Sequence, residues 1–171
     1  MSHTYVLDAG VLFSNWTSKI PEGVFLTTSS VLSEVRNRPS KVRAEVLTLI
    51  DRLHEDFPSS ESLNAVRKAA SETGDKSVLS DVDMEIIALA YSKKFLEEPV
   101  TLVSTDLAVL NTARHLGLEI MDPSGRFKQE IIWSLKCPAC NHRSKSKVKE
   151  LECPVCGTLM KRVASHKRKS R

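Results

Sequence analysis

The sequence predicts an α/β protein in which a parallel β-sheet is flanked by helices and followed by a small C-terminal zinc ribbon. Three observations lead to this prediction. Short apolar runs alternate with longer segments whose apolar residues recur at helical spacing. The run at 100–103 is almost wholly apolar, which is typical of a strand buried on both faces of a parallel sheet. Two Cys-x-x-Cys motifs near the end of the chain indicate the ribbon.

The N-terminal half is predicted to contain two strands and three helices. The predicted strands are 4–7 and 24–26, and the predicted helices are 31–35, 40–55 and 63–74. Hydroxyl side chains at 27–30 provide N-caps for the first helix. The helix over 40–55 is predicted from apolar residues spaced three or four apart. Gly74 is expected to end the third helix.

The C-terminal half of the same domain is predicted to continue the alternation. The predicted elements are a helix over 81–95, a strand at 100–103, a helix over 106–116 and a strand at 118–121. Pro99 separates the first helix from the strand. Strands that alternate with helices imply right-handed β-α-β units and a parallel sheet.

The chain is expected to divide into four segments. These are an α/β domain over 1–122, a linker over 123–130, the zinc ribbon over 131–161 and a basic flexible tail over 162–171. The tail is predicted to be flexible because it has little apolar content. The chain starts Met-Ser-His-Thr-Tyr, which lacks the basic and apolar regions of a signal peptide, so we expect a soluble cytoplasmic protein.

Charge is distributed unevenly along the chain. The formal net charge is +4, but residues 1–127 sum to −5 and residues 128–171 sum to +9. An acidic body that holds metal cations and a basic end that holds a polyanion would suit a protein that acts on nucleic acid. The alternative is that the basic end only keeps the protein soluble.

Four cysteines are predicted to bind one structural zinc ion. They are Cys137, Cys140, Cys153 and Cys156, arranged as two Cys-x-x-Cys pairs. Four thiolates complete a tetrahedral shell, which leaves no open position for catalysis. His142 is close to the first pair but is expected to lie on the surface. The alternative interpretation is a redox dithiol pair.

Basic residues of the ribbon and tail are predicted to contact RNA. The predicted residues are Arg143, Lys145, Lys147, Lys149, Lys161, Arg162, Lys167, Arg168 and Lys169. The first four alternate along the chain, so a strand would place them on one face. The alternative is an ordinary solvated face.

Four acidic residues occur where predicted strands end or helices begin, and they are candidates for a shared metal site. They are Asp8, Glu34, Asp83 and Asp106. Ligands of open parallel sheets bind outside the carboxyl ends of the strands. Carboxylates brought together there would require a divalent cation, and their hard oxygens suit Mg²⁺ or Mn²⁺. Each residue also has a structural alternative: Asp83 can belong to a capping box with Ser80, and Asp106 can favour a helix dipole.

These residues lie in segments that resemble the successive motifs of PIN-domain nucleases. The segments are 6–10 (VLDAG), 33–35 (SEV), 79–90 (LSDVDMEIIALA) and 102–106 (LVSTD). The stretch 72–75 (ETGD) and the C-terminal ribbon narrow the resemblance further. Residues 1–160 are similar to archaeal forms of the NIN-one-binding endonuclease family, which matures the 3′ end of small-subunit ribosomal RNA.

The resemblance implies a PIN-like nuclease domain and a Mg²⁺- or Mn²⁺-dependent endoribonuclease. It implies catalytic roles for Asp8, Glu34, Asp83 and Asp106, with metal ligation by the three aspartates. It also implies precursor rRNA in the pre-small ribosomal subunit as partner, and a KH-domain assembly factor. Many PIN domains have a second acidic residue where this chain has Leu107. This departure favours a non-catalytic RNA-binding assembly factor as an alternative. A PIN-type toxin is a third possibility, although toxins of that class usually lack a ribbon.

Overall fold

A computed structural model describes residues 3–34, 38–94, 99–145 and 151–169. The strands are Thr4–Leu7 (β1), Val24–Thr27 (β2), Leu53–Glu55 (β3), Val100–Val103 (β4), Glu119–Met121 (β5), Gln129–Lys136 (β6), Arg143–Lys145 (β7) and Lys161–Lys169 (β8). The helices are Ala9–Phe13 (α1), Ser29–Glu34 (α2), Arg38–Leu49 (α3), Ser60–Thr73 (α4), Asp81–Lys93 (α5) and Leu107–His115 (α6). In this part of the chain, no helix has the length and apolar character needed to cross a membrane.

The first five strands form a parallel sheet in the order β3-β2-β1-β4-β5. Strand β1 lies at its centre, and Val6 and Leu7 are fully buried. Helices α4, α5 and α6 contact one another, and α5 also contacts β1 and β4. The predicted α/β fold with a parallel sheet flanked by helices is confirmed.

Local sequence signals define the helix boundaries on either side of the sheet. Ser59 caps α4 by accepting the Ser62 N–H, and Gly74 ends it with a φ of 80°. Ser80 caps α5, and Asp106 caps α6. These caps lie close to the predicted helix ends because capping depends on local chemistry.

The predicted helix over 40–55 is wrong in its second half. Helix α3 ends at Leu49, Asp51 has a positive φ of 58°, and β3 begins at Leu53. Leu49 is 84% exposed and Ile50 is 56% exposed, so the helical spacing there does not mark a core face. Leu53 is instead buried beside β2, where the Phe25 N–H donates to the Arg52 carbonyl. Pairing with a distant strand overrides the local pattern.

The basic C-terminal segment belongs to a second sheet, of three antiparallel strands in the order β7-β6-β8. Strand β8 pairs with β6 from Lys136↔Lys161 to Gln129↔Lys169. The prediction of a flexible tail over 162–171 is therefore wrong for 162–169. Backbone hydrogen bonds along β6 order a segment whose apolar content alone would not order it.

The predicted linker over 123–130 is also structured. The Asp122 carboxylate accepts hydrogen bonds from the Ser124 N–H and hydroxyl at 2.8 and 2.6 Å and from the Phe127 N–H at 2.7 Å. Arg126 donates to the Thr105 carbonyl at 2.7 Å. Strand β6 begins at Gln129, so the turn leads directly into the second sheet.

A buried carboxylate joins the two sheets. Asp75, which is 1% exposed, follows α4 and accepts a hydrogen bond from the Asn111 amide at 2.6 Å. It also forms an ion pair with Arg162 of β8. The Asn111 side-chain nitrogen donates to the Ile131 carbonyl at 2.8 Å, and the Ile131 N–H donates to the Asn111 side-chain oxygen at 2.7 Å. Asn111 thus forms hydrogen bonds with β6 as a neighbouring strand would.

A second polar cluster lies on the same boundary. The two ring nitrogens of His115 on α6 lie 2.7 Å from a Glu130 carboxylate oxygen and 3.2 Å from a Glu72 carboxylate oxygen. Glu130 belongs to β6 and Glu72 to α4. The second sheet is thus bound to both helices through side chains of α4, α6 and β6.

Arg162→Leu should lower the free energy of unfolding by about 3–5 kcal/mol, because it leaves the buried Asp75 charge without its cation. Urea unfolding would measure the change. Adding Asp75→Asn to this variant should recover part of the loss, since the uncompensated charge is then removed. Arg143→Leu, at an exposed position of β7, is the matched control. Equal effects of the two arginine substitutions would contradict the role given to Asp75.

Candidate active site

Asp8 lies at the carboxyl end of the central strand β1. Its backbone N–H donates to the Val103 carbonyl of β4, and Asp8 is the N-cap of α1. Its carboxylate accepts a hydrogen bond of 2.5 Å from the hydroxyl of Ser104, which is fully buried. The Ser104 hydroxyl oxygen also accepts the Asp106 N–H at 3.0 Å. Ser104 therefore fixes Asp8 relative to the start of α6.

Asp83 and Asp106 each use one carboxylate oxygen for a local cap. One oxygen of Asp83 accepts the Ser80 N–H and hydroxyl, both at 2.8 Å, which completes a capping box. One oxygen of Asp106 accepts the Ala108 N–H at 2.7 Å and the Val109 N–H at 3.3 Å. Among the residues that the structure describes, none donates a hydrogen bond to the other oxygen of either side chain. Capping and metal ligation are thus compatible at both positions.

The charges of the two other aspartates act on Asp8. Burial raises the pKa of Asp8 above the ordinary value for an aspartate, and the hydrogen bond from Ser104 opposes this effect. The negative charges of Asp83 and Asp106 raise the pKa of Asp8 further. A carboxylate that is disfavoured by burial and by two neighbouring anions is stabilised by a bound cation.

These side chains fit a divalent cation in their chemistry. All three offer hard carboxylate oxygens, the ligands that Mg²⁺ and Mn²⁺ prefer. Within the described ranges, however, only the cysteines place their ligand atoms all within 4.8 Å of one another. The three carboxylates are therefore near one another without forming an equally tight cluster.

The structure does not bring Glu34 into this group. It is the last residue of α2 and is exposed, and residues 35–37 lie outside the described part of the chain. No described interaction joins its carboxylate to Asp8, Asp83 or Asp106. Its catalytic role stays a prediction.

Sequence reasoning missed the role of Ser104, although it included this residue in the fourth motif. The available signal was a small hydroxyl residue directly after the apolar strand β4. The neighbouring backbone is tightly packed, since a Cβ atom on Gly10 would lie 2.8 Å from the Thr105 hydroxyl oxygen. The lack of a side chain at Gly10 therefore allows α1 to approach the loop that carries Ser104 and Asp106.

The four cysteines form a compact tetrad. Sulfur atoms of Cys137 and Cys156 are 3.5 Å apart, as are those of Cys140 and Cys153. A tetrahedral zinc site with Zn–S bonds of about 2.3 Å has sulfurs about 3.8 Å apart. The tetrad therefore fits one tetrahedral ion, and the described geometry leaves His142 outside it.

The two Cys-x-x-Cys pairs have the same backbone geometry. Cys137 N–H donates to the carbonyl of His142, and Cys153 N–H donates to that of Thr158. Asn141 and Gly157 occupy equivalent positions with φ values of 62° and 73°. The left-handed conformation explains the glycine, and asparagine is among the few other residues that tolerate it.

Some predicted RNA contacts form a row of cations across the second sheet. Lys136 of β6 pairs with Arg143 of β7 and with Lys161 of β8, so the three lie side by side on one face. Lys145 is described only as the last residue of β7. Sequence reasoning did not include Lys136 with these cations, although it lies directly before the first cysteine.

Of the other predicted RNA contacts, one has a structural role, and the rest are described only in part or not at all. Arg162 pairs with Leu135, so it belongs to the opposite face, where it binds Asp75 and stacks on Trp133. These contacts give it a structural role. Lys147 and Lys149 lie outside the described residues, and Lys167, Arg168 and Lys169 are described only as part of β8.

Asp8→Asn should raise Tm at neutral pH without divalent ions, by about 2–4 °C for each kcal/mol gained. The raised pKa of Asp8 means that its ionised form destabilises the fold above that pKa, and that the penalty disappears at lower pH where Asp8 is protonated. The gain over wild type should therefore shrink as the pH falls from neutral toward the ordinary pKa of an aspartate. Differential scanning calorimetry would measure it.

The change in Tm on addition of Mn²⁺ is a second measurement on the same variant. The ion should raise the Tm of the wild-type protein and leave that of Asp8→Asn unchanged, because only the wild type retains the charge needed for binding. A lower Tm for the variant at neutral pH, or an equal response to Mn²⁺, would contradict the electrostatic account of the site.

Removing the predicted zinc should unfold the two Cys-x-x-Cys turns and leave the parallel sheet folded. Cys137 and Cys153 belong to a small cluster with Leu135 and Met160, whereas the parallel sheet and its helices share a separate large core. Zinc release and helical circular dichroism would be followed together during chelation. A loss of helical signal in parallel with zinc release would show that the two parts depend on the same ion.

The chain is similar in sequence to known ribonucleases. Residues 5–92 match the family described as PIN domain of ribonuclease. An archaeal protein from Pyrococcus abyssi described as Endoribonuclease Nob1 is 34% identical over 142 residues, which covers 83% of this chain and 85% of that protein. A protein of the same description from Archaeoglobus fulgidus is 30% identical over 97% of this chain and 95% of its own length.

A relative with a different description matches over a similar length. Ribonuclease VapC1 from Thermoplasma acidophilum is 30% identical over 159 residues, which covers 92% of this chain and 77% of that protein. All three relatives are described as ribonucleases. The matched segment includes Asp8 and Asp83, and the charge of Asp83 raises the pKa of Asp8. The chain belongs to the PIN-domain ribonuclease family.

Proposed function

We propose that this protein is a Mg²⁺- or Mn²⁺-dependent endoribonuclease that cleaves precursor ribosomal RNA to form the 3′ end of the small-subunit rRNA. The observation that carries the proposal is the position of Asp8, which Ser104 holds at the carboxyl end of the central strand, close enough to Asp83 and Asp106 for their charges to raise its pKa. The archaeal relatives described as Endoribonuclease Nob1 support the choice of substrate class, because they match over most of the chain.

The reaction is hydrolysis of a phosphodiester, in which water adds to phosphorus and one P–O bond breaks. A bound divalent ion would neutralise the phosphate and lower the pKa of the attacking water. Asp8, Asp83 and Asp106 would hold this ion. Ser104 keeps the Asp8 carboxylate in place, and the two caps keep Asp83 and Asp106 at the starts of their helices.

The second sheet is proposed to bind the RNA. Lys136, Arg143 and Lys161 form one row of cations, at the spacing of neighbouring strands, and each can contact a phosphate. The four cysteines are proposed to hold one zinc ion that supports this sheet. A KH-domain assembly factor as partner follows from the family resemblance and stays a prediction.

Two alternatives remain distinct from this proposal. A PIN-type toxin is favoured by the similarity to Ribonuclease VapC1 and would cleave RNA other than precursor rRNA. A non-catalytic assembly factor is favoured by Leu107, because this residue has no acidic side chain to offer to a metal. The first differs in substrate and the second in activity, so one cleavage assay separates all three.

Asp8→Asn should reduce Mn²⁺-dependent cleavage of an RNA spanning the 3′ end of the small-subunit rRNA by about a hundredfold or more, while RNA affinity changes little. The amide keeps the shape of Asp8 but removes the charge that holds the ion. Asp81→Asn is the matched control, since Asp81 is exposed and lies on the first turn of the same helix as Asp83. Cleavage would be measured with labelled RNA, and affinity by fluorescence anisotropy.

Each alternative predicts a different result in this assay. Equal cleavage of a scrambled RNA and of the RNA that spans the 3′ end of the small-subunit rRNA would favour the PIN-type toxin. Absence of cleavage by the wild-type protein with either metal, together with tight RNA binding, would favour the non-catalytic factor. Unchanged cleavage by highly purified Asp8→Asn would place the chemistry elsewhere.

A further inference from the structure

A cleft of about 450 Å³ continues from Asp106 along α6 to the second sheet. It lies where the PIN domain meets β6 and β8, and none of the predicted site residues except Asp106 and Arg162 lines it. The residues that matter for its chemistry are Leu107, Arg126, Phe127, Lys128 and Trp133. Its size is within the range of pockets that hold small organic ligands.

The walls of the cleft are mainly apolar and aromatic. Leu107 is 44% exposed on the first turn of α6, directly after Asp106. Trp133 of β6 is held in place by the Arg162 guanidinium, whose central carbon lies 4.2 Å from the centre of the ring. Unstacked bases of single-stranded RNA bind to such aromatic and guanidinium groups.

Two cations line the cleft, and one of them contacts the residue before Asp106. Arg126 is fixed by bonds from Nη2 to the Thr105 carbonyl at 2.7 Å and from Nε to the Ser124 hydroxyl at 3.0 Å. Lys128 Nζ donates to the Gly125 carbonyl at 2.6 Å. Both side chains are exposed and retain donors for a phosphate.

The charges of the cleft favour an anion with an apolar part. Asp75 is paired with Arg162, so its charge is compensated inside the protein. Asp106 is the other acidic residue of the lining, and it belongs to the proposed metal site. Arg126 and Lys128 are therefore the cations available to a ligand, and they lie beside apolar walls, which is the pattern that a nucleotide requires.

We infer that this cleft binds one nucleotide of the RNA, next to the phosphodiester that is cleaved. Its base lies against Leu107 and Trp133, and its phosphate is contacted by Arg126 and Lys128. This inference rests on the proposed endoribonuclease function and names specificity-determining residues for it. Leu107, where many PIN domains have an acidic residue, contributes an apolar contact to the base.

The first test removes single bases from the substrate. An abasic residue would be placed in turn at the two positions on each side of the cleaved bond, and kcat/KM would be measured with Mn²⁺. At one of these positions, loss of the base should lower kcat/KM by roughly five- to a hundredfold. In Leu107→Ala the same penalty should be about two- to tenfold smaller, because part of the base contact is already absent.

Leu49→Ala is the matched control, since Leu49 is an exposed leucine at the end of α3 and lies outside the cleft. It should retain the full abasic penalty. If wild-type protein cleaves unmodified RNA but tolerates an abasic residue at all four positions, the inference is wrong while the proposed function stands. An equal abasic penalty in wild type and Leu107→Ala would also overturn it.

The second test does not depend on cleavage. The chain has two tryptophans, Trp16 and Trp133, and Trp16 packs against Tyr5 and Phe25 in the core. In the Asp8→Asn protein, saturating short RNA should quench the fluorescence of Trp133, and RNA with an abasic residue at the sensitive position should quench it less. Where no cleavage is seen, each nucleotide of the short RNA is made abasic in turn.

Trp133→Phe in the Asp8→Asn protein identifies the reporter and should remove the quenching. Saturation would be checked by the anisotropy of labelled RNA. Quenching that is unchanged at every abasic position, or that persists without Trp133, would overturn the inference whether or not the protein cleaves RNA. Absence of RNA binding would overturn it as well.

Discussion

The arrangement of this protein depends on one buried carboxylate, Asp75. It follows α4 and is almost completely shielded from water, so its charge must be compensated inside the protein. The Asn111 amide and the Arg162 guanidinium provide this compensation from α6 and β8. Since Arg162 is separated from Asp75 by more than eighty residues, satisfying this charge requires the second sheet to lie against the helices of the PIN domain.

The contact between Asp75 and Arg162 brings together two parts of the chain that carry opposite net charge. Residues 1–127 carry a net charge of −5, and within them the charges of Asp83 and Asp106 act on Asp8 at the carboxyl end of β1. Residues 128–171 carry a net charge of +9. An acidic edge alone repels RNA until cations bind. A second sheet held against α6 places Arg126, Lys128 and the cation row of Lys136, Arg143 and Lys161 on the same body as the carboxylates.

Sequence reasoning succeeded where the signal was local or chemically specific. The caps around Gly74, Ser80 and Asp106 define helix ends through neighbouring residues, and the cysteine spacing indicated a tetrad that the structure assembles. It failed at β3 and β8. Their order comes from pairing with β2 and β6, which are distant in the chain, and hydropathy carries little information about such pairing.

The candidate site shows the same division. Asp8, Asp83 and Asp106 were predictable because each occurs at an element boundary, and the resemblance to PIN motifs supported the choice. The hydrogen bond from Ser104 to Asp8 depends on the register of β1 against β4, which motif order does not contain.

The cleft beside Asp106 depends on the packing of two sheets that sequence reasoning treated as separate modules joined by a linker. Asp122 instead orders that segment and directs Arg126 to the carbonyl of Thr105, next to Asp106. A flexible linker would leave the position of this cation undefined relative to the carboxylates. The ordered turn therefore couples the proposed RNA-binding sheet to the proposed catalytic edge, and this coupling is a property of the whole chain rather than of either module.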